Sequence, residues 1–337
     1  MRGCEMLPDD NLIVVSSPPH IHSGLSIKKA VFIVILCLIP AVVVGTMVYG
    51  FYALSVVLIS VISAMLFEQC FEYWHKQGRF ITDGTAALTG LLLGLSLPPA
   101  IPLWIPAIGG GFAVIIAKHA LGGLGFNHLN PALTARAFLM LSFPQIMITS
   151  YKSPFHGTLL GLDTITTATP LTLLKNTGYY GTPTGVLEQL HSPEMFKLLF
   201  LGNIGGSIGE TCKIALIAGG ATLLILRIID YRIVTGYMVS FCLINLVLPG
   251  RINLLFQLFT GGLLLGVFFM ATDWVTSPIT PEGRWLFGIG CGLFTALFRY
   301  TLEYPEGVTP AILLMNLSVP LLDKIVVWKR SKKWQRN

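Results

Sequence analysis

The chain has 337 residues, of which 53% are hydrophobic and only 11% are Asp, Glu, Lys or Arg. A soluble domain carries about 25% charged residues, so this sequence has under half the usual density. Together with a mean hydropathy of +0.73, this excludes a soluble enzyme, a disordered chain and a nucleic-acid-binding protein. The net charge of +6 reads instead as basic loops that orient an integral membrane protein.

In chain order, residues 1–29 are mostly polar and include Pro8, Asp9, Asp10, Pro18 and Pro19, which argues against a signal peptide. Apolar stretches follow at 30–49 and 51–67, then a polar segment with Glu72, His75, Lys76, Arg79 and Asp83. Two shorter stretches, 86–97 and 101–117, flank the Pro98-Pro99 break, and the Gly- and Asn-rich link 122–130 leads into a stretch ending near Ser150. Residues 151–197 form a polar loop rich in Thr, Gly and Pro, of the length that usually carries function. The second half repeats the layout, with apolar stretches at 212–229, 233–249, 254–271, 285–300 and 310–322.

The expected fold is an all-α membrane protein of about ten transmembrane helices in two inverted five-helix repeats, some of them short or broken. Its parts are an N-terminal segment 1–29, a first repeat 30–150, an outer loop 151–197, a second repeat 198–323 and a basic tail 324–337. The repeats are visible as Thr82-Asp83 and Thr272-Asp273, and as Pro131-Ala132-Leu133 and Pro310-Ala311-Ile312. With a cytoplasmic N-terminus, Lys28, Lys29, Lys76, Arg79, Lys118, Arg227, Arg232, Arg284 and the tail lie inside. Lys152, Lys175, Lys197, Arg251 and Arg299 then face outward, a positive-inside bias that puts both termini in the cytoplasm.

Candidate chemistry is sparse. Cys4, Cys37, Cys70, Cys212, Cys242 and Cys291 form no CxxC pair and read as packing residues, and the seven histidines show no metal-ligand spacing. Glu68, Asp83, Glu210 and Asp273 lie at the edges of or within apolar stretches. Carboxylates there serve ion paths or hydrogen-bond anchoring, and Asp83 and Asp273 read equally as helix caps. Arg136 and Arg299 either pair with such acids or snorkel to an interface. Gly90/Gly94 and Gly288/Gly292 have the spacing of close helix packing. The loop holds Asp163-Thr164-Ile165-Thr166-Thr167-Ala168-Thr169-Pro170, where the residue before proline is biased to extended backbone.

These residues carry a resemblance. The chain resembles the D subunit of Rnf-type ion-translocating oxidoreductases and, more distantly, the B subunit of sodium-translocating NADH:quinone oxidoreductases. The anchors are Ser16-Ser17-Pro18 with His20, the stretch 82–99, Asn127 to Pro131, Gly205 to Glu210, and the stretches 272–281 and 304–320. The lack of a long N-terminal extension points to the Rnf member of the pair.

The resemblance implies FMN esterified through its phosphate to the last threonine of a Ser/Thr-x-Ala-Thr motif. That role falls on Thr169, with Asp163, Thr166, Thr167 and Ala168 as its neighbours. The first two motif positions depart from the commoner Ser-Gly.

It also implies a second, non-covalent flavin (riboflavin) and a place in the plasma membrane of a bacterium or archaeon. The expected partners are the other members of the complex (the A, B, C, E and G subunits), a flavin transferase and the lipid bilayer, with no nucleic acid. The expected function is that of an electron-transfer subunit in a complex coupling ferredoxin:NAD oxidoreduction to Na+ or H+ translocation, inactive alone. Asp83, Asp273 and Glu210 are its ion-path candidates. Inverted repeats alone would suit a secondary transporter or channel for a small solute, or a membrane scaffold, equally well.

Overall fold

The computed structural model describes residues 26–74, 83–120, 122–123, 125–154, 171, 192–202, 205–247, 253–302 and 306–334. The elements among them are helical. Helix α1 (Ile27–Tyr49) is capped by the Ser26 hydroxyl, which accepts from the Lys29 amide, and keeps Pro40 in its interior. Gly50, at φ +86°, is the single residue between it and α2 (Phe51–Trp74). A left-handed glycine permits that abrupt reversal without a Cβ clash. Helix α2 runs beyond the expected end of its apolar stretch and takes in Glu68 and Glu72.

Helices α1 and α2 and residues Val308–Lys329 of the last helix are long and apolar enough to cross a membrane. About 20 residues are needed to span the hydrocarbon. Their outer faces bear large apolar side chains, with Met47 71% and Phe32 60% exposed, as a lipid-facing surface requires.

Several other helices are too short to cross. Helix α3 (Thr85–Ser96) has 12 residues, about 18 Å of rise, and is buried from Gly90 to Ser96. It ends at Leu97, ahead of the Pro98-Pro99 break. Helix α4 (Trp104–Phe112) widens into a π-helical turn over Ala113–His119. Helix α5 (Pro131–Ser142) starts at Asn130, whose side chain accepts from the Ala132 and Leu133 amides. Short α6 (Pro144–Thr149) and α7 (Pro193–Leu201) flank the long loop.

The second half holds α8 (Lys213–Ile225), α9 (Tyr231–Val247), α10 (Leu254–Phe259), α11 (Leu263–Leu265), α12 (Pro281–Thr301) and α13 (Val308–Trp334). The stretch 254–271, expected as one span, is broken. Helix α10 ends at Thr260, Gly261 takes φ +65°, and α11 resumes and widens into a second π-helical turn at Gly266–Met270. Irregular backbone at membrane depth needs partners from the protein, and Arg299 of α12 supplies them. Helix α13 continues past residue 322 into the basic tail.

Glycines set the closest approaches. A Cβ on Gly90 would lie 2.6 Å from the Ser60 carbonyl oxygen of α2, and one on Gly288 2.6 Å from the Ile233 carbonyl oxygen of α9. Gly94 meets the Val57 Cα of α2, and Gly292 meets Ser240 and Tyr237 of α9. The small-residue spacing therefore packs α2 on α3 and α9 on α12.

Candidate functional site

Two groups of buried polar residues stand at opposite ends of the bundle. The near end carries the start of α1 and the end of α13; the far end carries the end of α1 and the start of α13.

At the far end, Tyr49 closes α1 against the 205–210 segment. Its hydroxyl accepts from the Gly206 amide at 3.1 Å and donates to the Gly206 carbonyl at 3.2 Å. Glu210, in the 3-10 turn Ile208–Glu210, accepts from the Ser207 hydroxyl at 2.6 Å, and Lys213 donates to the Glu210 carbonyl. Beside it Arg136 of α5 pairs with Glu306, which also accepts from the Tyr151 hydroxyl at 3.2 Å. Arg299, fully buried, donates to the carbonyls of Gln257, Thr260 (2.9 Å) and Glu306 (3.3 Å) and faces the Phe241 ring at 5.0 Å. It thereby satisfies the carbonyl end of α10 at the break, where a cation also complements the helix dipole.

Glu210, Lys213, Thr260, Gly261 and Glu306 line a small cavity of about 20 Å³, room for about one water. Leu171, two residues beyond Thr169, is buried in its wall.

At the near end, Glu68 of α2 pairs with Lys118 from the π-helical turn of α4. Lys118 also donates to the Thr85 hydroxyl at 2.8 Å, and His119 lies 3.7 Å from Glu68 with its ring stacked on Phe71. The π-helical turn inserts the extra residue that aims Lys118 inward, a feature frequent at functional sites. The second π-helical turn ends just before Thr272-Asp273. Lys118 and Thr85 border a cavity of about 420 Å³ whose wall also includes Asn127, Asn130, Thr272 and Asp273 among largely apolar residues. Asn130 ties it to the second half by donating to the Met270 carbonyl at 3.1 Å.

The ion-path candidates are thus separated. Asp273 lines the near cavity and accepts from the Val275 amide and the Thr276 hydroxyl, Glu210 lines the far cavity, and Asp83 accepts from the Thr85 amide at the start of α3. Asp83 lies just before α3, whose N-cap is Gly84. Asp273 follows a π-helical turn and closes a local turn, with no helix after it until Pro281, so the helix-capping expectation does not hold for Asp273. Arg136 pairs with an acid, as one of the two expectations had it. Lys152 and Arg299, counted as outward loop charges, and Lys118, counted as an inner one, are all buried. Lys213, Gln257 and Glu306 were not singled out from the sequence. The motif residues Asp163, Thr166, Thr167, Ala168 and Thr169 lie outside the described residues.

The near cavity has the size and wall of a small-molecule site. Its volume falls in the range of roughly 300–1,000 Å³ usual for small-molecule sites, and its wall is mostly apolar. The buried Asn127 Oδ1 in that wall has no hydrogen-bond donor among the described residues, an acceptor a ring N–H or ribityl hydroxyl can satisfy.

Three helices long and apolar enough to cross a bilayer, packed with short and broken helices around buried charge clusters, define a polytopic membrane protein. The sequence pattern of the NQR2, RnfD, RnfE family matches residues 14–332, and the chain belongs to that family. It is 41% identical to the D subunit of the proton-translocating ferredoxin:NAD(+) oxidoreductase complex of Clostridium ljungdahlii, over 93% of this chain and 94% of the relative. Against the D subunit of the Na(+)-translocating complex of Acetobacterium woodii, identity is 40% over 93% of each chain. Against the D subunit of the ion-translocating oxidoreductase complex of Stutzerimonas stutzeri it is 37%, again over 93% of each.

Proposed function

We propose that this chain is the membrane electron-transfer subunit, the D component, of an Rnf-type complex that couples ferredoxin:NAD oxidoreduction to translocation of Na+ or H+. The observation that carries the reading is the identity of 40–41% over 93% of the chain to proteins whose names state that activity. The motif ending at Thr169-Pro170 supports it, because a solute permease has no use for an esterifiable threonine in an outer loop. The setting is the plasma membrane of a bacterium or archaeon, with both termini cytoplasmic and the A, B, C, E and G components as partners. The ten-span, two-repeat arrangement belongs to the same reading, with α1–α5 and α8–α13 as its halves.

In this reading Thr169 holds FMN as a phosphate ester, attached by a flavin transferase. Buried Leu171 anchors the motif's C-terminal side against the far cavity. Bound flavin supplies the electron-carrying ring that no side chain can provide. Lys118, Asn127 and Thr85 would hold the polar edge of a riboflavin in the near cavity, and Leu92 and Phe269 would exclude water from its ring. Asp273 and Glu210 remain the ion-path candidates that border cavities, with Asp83 beside them at the α3 start. Asn at Asp273 keeps an acceptor for the Val275 amide and can donate to the Thr276 hydroxyl oxygen instead of accepting from it. A fall in ion uptake by the Asp273→Asn complex, with assembly intact, supports a path role, and unchanged uptake removes it.

The main test is the flavin itself. In-gel flavin fluorescence of the denatured chain, co-expressed with a flavin transferase, should be present and should vanish in Thr169→Ala. Mass spectrometry should place the FMN mass on the peptide bearing Thr169. FMN on Thr164, Thr166 or Thr167, or a fluorescent Thr169→Ala chain, would refute the assignment.

A further inference from the structure

A third concavity lies at the near end and abuts the near cavity, with which it shares Ile228, Ile229, Thr272 and Trp274. It is a groove of about 790 Å³ lined by Leu224, Arg227, Asp230, Tyr231, Trp274 and Arg284, among others. Asp230 holds two of the guanidiniums around it, accepting from Arg284 at 2.6 Å and lying 3.7 Å from Arg232. Arg284 is further fixed by donating to the Pro278 carbonyl at 3.0 Å. Arg227 differs. It is exposed and has no carboxylate partner among the described residues, and its backbone sits at φ +55°. That left-handed residue ends α8, with Arg227 N–H donating to the Leu224 carbonyl at 3.0 Å and Ile228 N–H to the Leu223 carbonyl at 2.9 Å, a helix stop where glycine is usual.

The surroundings say what such a cation would meet. Two guanidiniums in the lining, Arg227 and Arg284, against the one carboxylate of Asp230 leave the groove cationic, and Arg232 adds charge beside Asp230. The groove lining includes Tyr231, 55% exposed, and Trp274, 49% exposed, with Trp285 edge-on against Tyr231, the residue types that sit at the headgroup level of a bilayer. Immediately before Arg227, Ile225 and Leu226 are 80% and 49% exposed on the lipid-facing surface. Asp323 of α13 accepts from the Ile279 and Thr280 amides, so the lysine-rich end of α13 belongs to the same end of the bundle.

We propose that this groove binds the phosphate headgroup of an anionic phospholipid, with Arg227 as its principal ligand and the acyl chains along Ile225 and Leu226. Arg284 contributes charge while remaining tied to Asp230, and Trp274 packs at the glycerol level. Basic pockets between helices at the cytoplasmic surface recognise anionic headgroups in this way. The acidic surface of a partner protein would match the charge but would not call for the adjoining exposed aliphatic side chains.

The purified, delipidated complex should be titrated with brominated phosphatidylglycerol while tryptophan fluorescence is recorded. Saturable quenching is expected, with a component lost in Trp274→Phe. Arg227→Gly relieves the backbone strain while removing the charge, so weaker binding cannot be ascribed to misfolding. It should raise the half-saturation concentration about fivefold, and Arg227→Gln should do the same. Equal quenching by brominated phosphatidylcholine would overturn the proposal. So would unaltered binding in both Arg227 variants, displacement by millimolar inorganic phosphate, or no Trp274 component because a neighbouring protein of the complex covers the groove.

Discussion

Glu306 shows what a buried charge does in this fold. It compensates Arg136, accepts from Tyr151, and gives its carbonyl to Arg299. Taking one partner from a buried ion pair leaves the other charge uncompensated, at a cost of about 3–5 kcal/mol, whereas removing both costs much less. Glu306→Gln should therefore reduce the yield of folded chain in the membrane more than the Arg136→Gln, Glu306→Gln double substitution does. Additive losses in a double-mutant cycle, measured by thermal unfolding in detergent, would show that the pair is not a unit.

These charges were only partly legible in the sequence. Glu68, Glu210 and Arg136 stand out because they interrupt apolar stretches, but Lys118 and Lys152 read as loop charges beside them. The reason is separation: Lys118 lies 50 positions from Glu68 and Arg136 lies 170 from Glu306. No local pattern reports such pairings.

At the scale of elements, composition located the helices well, because each apolar stretch contains or overlaps one. It did not locate the break in 254–271, since Thr260-Gly261-Gly262 looks like a small-residue patch until Arg299 is seen serving its carbonyls. The π-helical turns were equally silent, as one extra residue per turn leaves no mark on hydropathy. The glycine spacing was legible, and it yields a sharp expectation. A methyl group at Gly90 would meet α2 backbone on both sides, at the Ser60 oxygen and the Val61 Cα, both 2.6 Å away. Backbone cannot rotate aside as a side chain would, so Gly90→Ala should force α2 and α3 apart. Overpacking typically costs about 1–3 kcal/mol, and the loss should appear as a lower unfolding temperature of the purified chain. Gly125, whose Cβ position meets nothing within 4 Å, sits at φ +96°, so Gly125→Ala should show only the smaller backbone strain. Equal losses at the two sites would mean that the α2–α3 contact is looser than the geometry requires.

For the whole molecule, burial changes how the orientation is argued. Lys118, Lys152, Lys213 and Arg299 are buried in the protein and cannot be read as loop charges. The positive-inside rule counts charges in short loops near span ends. What remains is a near end with exposed Lys28, Lys29, Arg227, Lys324, Lys329 and Lys332, joined by Arg232 and Arg284 around Asp230. The far end has exposed Lys197 among its described residues. The asymmetry is therefore stronger after the buried charges are removed than the raw count suggested. This is the asymmetry expected under the proposed topology, in which the near end faces the cytoplasm and residues 151–197 lie outside. A cysteine replacing Tyr180, in a chain whose native cysteines are changed to serine or alanine, should react with a membrane-impermeant maleimide in intact cells. A cysteine replacing Lys332 should react only after lysis. The opposite labelling pattern would invert the molecule and place the Thr169 motif where free FMN is abundant, removing the physical reason for a covalent tether.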